Sequence, residues 1–124
     1  MANVGFWPLQ ARQKGIKDVH FKVTIGASGD PTLSTDGSSL GVASITRTSA
    51  GLYVITLRDK YTALVNASFM HLDDTLQNLS FQVNAETVAS TKTITLWTRV
   101  VATATDPTDT AIIYGTLTLK NSSV

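Results

Sequence analysis

Two runs, Val42-Ala43-Ser44-Ile45-Thr46-Arg47-Thr48 and Leu52-Tyr53-Val54-Ile55-Thr56-Leu57, meet at Ser49-Ala50-Gly51. Both are rich in β-branched residues, and neither spaces its apolar positions as a helix does. In the second run Tyr53, Ile55 and Leu57 share one face. Two such runs joined by small residues ending in glycine predict a β-hairpin. The hairpin decides the fold class, because the period-two pattern recurs on both sides of it.

Upstream, His20-Phe21-Lys22-Val23-Thr24-Ile25 puts Phe21, Val23 and Ile25 on one face. Residues 26–41 then collect Gly, Ser, Asp and Pro, which predicts a loop anchored by Leu33. Downstream, Arg58 to Leu64 could hold a helical turn but is too short to stand alone, so it is expected to cross between strands. In the next strand Val65, Ala67 and Phe69 share a face. Leu79 to Glu86 sets Leu79, Phe81, Val83 and Ala85 inward and Ser80, Gln82, Asn84 and Glu86 towards water. Lys92 to Ala104 reads as one long strand with Ile94, Leu96, Thr98 and Val100 on one face and Trp97 and Arg99 on the other. A turn at Asp106-Pro107-Thr108-Asp109 precedes a last strand, Ala111 to Lys120, with Ile113, Leu117 and Leu119 inward. About seven strands without a long helix predict an all-β chain with a single domain. The expected architecture is a β-sandwich or jelly-roll-like barrel over residues 19–124 behind an extended N-terminal arm, residues 1–18.

Composition agrees. The 124 residues suffice for one core, and 19 Thr and 11 Ser take the place of charged residues, which are only 15%. No apolar run approaches the ~18 residues of a membrane-spanning helix, and no basic-then-apolar leader opens the chain, so neither a membrane partner nor a secretory signal is expected. The absence of cysteine excludes disulfides, thiolate zinc sites and cysteine nucleophiles. The net charge of +1 conceals an asymmetry: residues 1–22 hold Arg12, Lys14, Lys17 and Lys22 against Asp18, and the remainder holds six basic and eight acidic residues. A basic front suits an acidic partner surface, or is simply solvated. Nucleic acid is not expected, since these cations are sparse and lack interleaved stacking partners. Ahead of them stand Val4, Phe6, Trp7 and Leu9. Exposing large apolar groups costs roughly 1.5–3 kcal/mol each, so they pack either on their own domain or on a neighbour.

The residues capable of chemistry are few. His20 and His71 are the two histidines, and His71-Leu72-Asp73-Asp74 offers at most a two-ligand set where a catalytic zinc takes three protein ligands. Asp30, Asp36, Asp106 and Asp109 suit turn capping better than calcium, because their spacing is irregular. No phosphate loop is present, since Gly26-Ala27-Ser28-Gly29 lacks the lysine. No catalytic residue, metal or cofactor is expected, and no enzyme.

One further signal is textual. A Gly-x-x-Ser-x-Thr-Arg strand (Gly41 to Arg47), a Gly-x-Tyr-x-x-x-Leu strand (Gly51 to Leu57) and an Asp-x-Tyr crossover (Asp59 to Tyr61) resemble a segment of small virion proteins of tailed bacteriophages. The ending from Asp106-Pro107 through Ile113-Tyr114 to Val124 is similar as well. The resemblance implies a capsid decoration (cement) protein, a homotrimer made in the host cytoplasm and carried on the outside of the virion, with the major capsid protein as partner. On that reading Phe6, Trp7, Leu9, Arg12, Lys14 and Lys17 are the candidate capsid contacts, and Trp97, Arg99 and Tyr114 the candidate contacts between copies. Two rivals differ in what they display. A head-fibre or tail-fibre tip would recognise a host receptor through the loops at Leu33–Ser39 or Asp106–Asp109, which lack aromatics. A carbohydrate-binding module or small hydrolase would use Trp97 as its stacking platform.

Overall fold

The computed structural model describes residues 15–27, 29–74, 76, 78–107 and 110–121. Among these residues nine strands follow in order: β1 (Ile16–Thr24), β2 (Thr32–Leu33), β3 (Val42–Ser49), β4 (Leu52–Leu57), β5 (Ala63–Leu72), β6 (Leu79–Thr87), β7 (Thr93–Val100), β8 (Thr103–Ala104) and β9 (Ile112–Lys120). They form two antiparallel sheets packed face to face, a β-sandwich. The first sheet runs β2-β1-β9-β5 and the second β3-β4-β7-β6, with β8 paired to the end of β7. β1 begins at Ile16, three residues before the expected start, so Lys17 belongs to a strand. The rest of the expected arm, residues 1–14, lies outside the described residues.

Alternation builds the core. Phe21 and Val23 of β1, Tyr53, Ile55 and Leu57 of β4, Ile94 and Leu96 of β7, and Ile113, Leu117 and Leu119 of β9 are all buried between the sheets. Each such side chain contributes about 1.5–3 kcal/mol relative to exposure. Phe21 lies over Gly115, its cross-strand partner on β9, where an added Cβ would intrude on the ring. Thr98 is fully buried in the same layer, its hydroxyl donating to the Thr105 carbonyl at 2.6 Å.

Four local expectations are corrected. Residues 58–62 hold no helical turn, because their amides donate elsewhere: Arg58 to the Gly41 carbonyl, Tyr61 to Val88 and Thr62 to Lys120. A bulge between Leu64 and Asn66 turns Val65 outward, 50% exposed, and leaves Leu64 against the core. Another bulge, between Val83 and Ala85, ends the clean alternation of β6, and Ala85 is exposed. The long strand from Lys92 to Ala104 is two strands, since Val101 adopts a positive φ of 58° and β8 folds back onto β7. A β-branched residue rarely takes that conformation, so no residue type announced the turn.

Candidate functional site

The hairpin text that stood out in sequence converges on one carboxylate. Asp106, just after β8, accepts from Arg47 Nε at 2.9 Å, the Gly51 N–H at 2.7 Å and the Tyr53 hydroxyl at 3.0 Å, while Arg47 Nη2 approaches it at 2.7 Å. Arg47 also donates its backbone N–H to Asp30 at 2.8 Å, which ties β3 to the loop before β2. Burial pushes the Asp106 carboxyl up, but Arg47, the Gly51 N–H and the Tyr53 hydroxyl outweigh it and hold the group below the usual carboxylate range. Burial, and then the Asp106 carboxylate, push the Tyr53 hydroxyl far above the ordinary phenol range. Hydrogen bonding to Asp106 likewise raises the Arg47 guanidinium. These charges are spent on each other and on the turn. Gly51 itself admits no side chain: φ is +70°, and a Cβ would sit 2.5 Å from the Thr105 nitrogen and 2.6 Å from the Thr98 oxygen.

A second polar cluster closes the same flank. Ser34, Ser38 and Ser39 hydrogen-bond in a chain, and the Ser39 hydroxyl accepts from the Lys22 N–H of β1 at 2.9 Å. The Ser38 hydroxyl and backbone N–H both donate to Asp36, which holds that carboxyl down at about 2. The loop at Leu33–Ser39, one place a receptor-binding tip would use, is thus largely occupied with itself.

The sequence-predicted residues are scattered. Phe6, Trp7, Leu9, Arg12 and Lys14 fall outside the described residues. Lys17 is exposed on β1 and lines an open groove of about 350 Å³ with Arg58, Asp59 and Leu40. Trp97 and Arg99 share the outer face of the second sheet, where Trp97 is half-buried across from Leu52 and Gln82. Tyr114 stands on the outer face of the other sheet, 40% exposed, with Lys22 Nζ 6.0 Å from its ring centroid. The three candidate copy-to-copy contacts therefore lie on opposite outer faces, Trp97 and Arg99 on one and Tyr114 on the other. His71 points between the sheets and packs at 6.1 Å against Phe81, and His20 pairs with the Thr116 hydroxyl at 3.1 Å. Among the described residues no three His, Asp or Glu side chains gather around a point.

Two features escaped the reading of the sequence. On the outer face of the first sheet Met70, 68% exposed, sits opposite Tyr114, and Leu72, 54% exposed, sits opposite Ile112, an apolar patch that the alternation of β5 assigned to neither face. Tracing the alternation through to Leu72 could have found it. Asp106 does cap a backbone N–H, that of Gly51, but its link to Arg47, 59 residues away, has no signal in the sequence beyond both stretches carrying the same resemblance. Comparison with family models, curated proteins and solved structures finds no match.

Proposed function

We propose that the chain is a structural virion protein that seats on the outer surface of a phage capsid and reinforces it, as a decoration protein does. The observation that carries the reading is the division of labour among side chains. Asp106 and Asp36 are engaged in closing turns, while large apolar groups such as Met70, Leu72 and Tyr114 stand exposed on a sheet face. Exposed apolar area on a rigid sandwich favours broad contact with another surface. The residues of the hairpin that resemble the phage proteins, Arg47, Gly51 and Tyr53, meet Asp106 from the resembling C-terminal stretch, so the resemblance covers a set that works as a unit. Phe6, Trp7 and Leu9 would anchor the contact, and Arg12, Lys14 and Lys17 would meet an acidic capsid face.

The test is binding to phage particles stripped of the protein. Removal of residues 1–14 spares β1, which begins at Ile16, so the shortened chain should fold and fail to occupy capsids. Full occupancy by the shortened chain contradicts the assigned contacts. Attachment of the whole chain to host cells with none to capsids would replace this reading with the fibre-tip one.

A further inference from the structure

β5 and β6 are both terminal strands, ten and nine residues long, and among the described residues each has a hydrogen-bonded neighbour on one side only. They lie beside each other on one flank of the sandwich. An aromatic ladder marks the place: Phe21 in the core packs on Phe69 of β5 at 6.1 Å, Phe69 on Phe81 of β6 at 5.8 Å, and Phe81 on His71. Phe69, Phe81, Ala67 and Val83 touch the core yet stay only half-buried, so the seam between the two edges is apolar and partly wet.

Free edges of this length normally carry lysine, proline, inward-pointing charge or a bulge that discourages pairing, and here the one bulge in each strand leaves the regular runs Asn66–Leu72 and Leu79–Val83. β5 has no charged residue and no proline, and β6 has one charge, Glu86, which caps the Val88 N–H at 3.2 Å. We infer that this flank is where copies of the chain meet, β5 of one copy pairing with β6 of the next. Charge argues for a second copy. A contact between identical chains brings like groups near one another, and an uncharged seam incurs no repulsion there, while a charged partner would find almost nothing to pair with. Length argues the same way, because the two edges match to within a residue. A ring closed in this manner satisfies both edges and extends each sheet into its neighbour. The inference deepens the proposed reading by relocating the contact between copies, away from Trp97, Arg99 and Tyr114. Its test needs no capsid, so either can fail alone.

Sedimentation of the full chain decides it. The unmodified protein should sediment as a closed oligomer, and both Val83→Lys, in the seam, and Ser68→Lys, exposed on β5, should sediment as monomers with unchanged far-UV dichroism. Ser44→Lys, exposed on β3 across the molecule, should leave the oligomer intact. Should Val83→Lys fail to fold, Ser68→Lys still carries the test. An oligomer that survives Ser68→Lys overturns the inference, as does a full chain that is monomeric throughout. A monomer whose β5 and β6 amides resist exchange would overturn it too, since another part of the same chain would then cover the seam.

Discussion

The two flanks of this sandwich are finished differently. On the β2–β3 flank the gap between sheets is closed by polar bonds: Arg47 reaches Asp30 and Asp106, and Ser39 holds the β1 backbone. On the β5–β6 flank the strands are longer, the bonds between sheets give way to ring contacts, and the core is left half-covered. On the proposed reading, the difference teaches that stability and contact between copies fall to separate edges. A flank tied by charge-assisted hydrogen bonds excludes further pairing, whereas an uncharged edge with apolar rows invites it.

The largest expected effect that breaks this comparison is Gly51→Ala. Its positive φ and the backbone atoms crowding the new Cβ should lower stability by roughly 3 kcal/mol or more, read from urea unfolding. Asp106→Ala leaves Arg47, the Gly51 N–H and the Tyr53 hydroxyl without their common acceptor, and should cost about 2–3 kcal/mol. Tyr53→Phe removes one of those bonds and should cost about 1 kcal/mol by the same measurement. On the other flank Val83→Thr should cost no more than about 1 kcal/mol, because that site is already half wet. Equal losses on both flanks would erase the distinction.

Acidity sharpens it further. Asp106 and Asp36 are both held below their ordinary values in the folded chain, and Asp36 lies at about 2. A carboxyl lowered by folding contributes stability above its unfolded pKa and loses it as pH falls through the folded one. Unfolding midpoints should therefore drop from about pH 4 downward. The drop should be smaller in Asp106→Asn, which has no charge there to lose. An unchanged acid profile in that variant would mean that the Asp106 cluster contributes little.

How much of this was legible in the sequence follows from the range of the forces involved. Period-two alternation is local, so the faces of β1, β4, β7 and β9 could be read directly from Phe21, Tyr53, Ile94 and Leu117. Bulges are local too but carry no residue signature here, so Val65 and Ala85 were placed on the wrong side. The β7–β8 turn rests on Val101 at positive φ, a conformation stabilised by surrounding backbone bonds such as Thr105 N–H to the Thr98 carbonyl. The Asp106 cluster and the β5–β6 seam depend on which strands end up as neighbours, and strand order is a property of the whole chain. Sequence could supply the candidates Trp97, Arg99 and Tyr114 but not the fact that they occupy opposite faces.

Amide hydrogen exchange across a dilution series tests the division between flanks most directly. The account predicts that amides of β5 and β6 slow by tenfold or more as the full chain is concentrated, while those of β3 and β4 hold constant. Exchange in β5 and β6 that is indifferent to concentration, or slowing spread evenly over all strands, would contradict it.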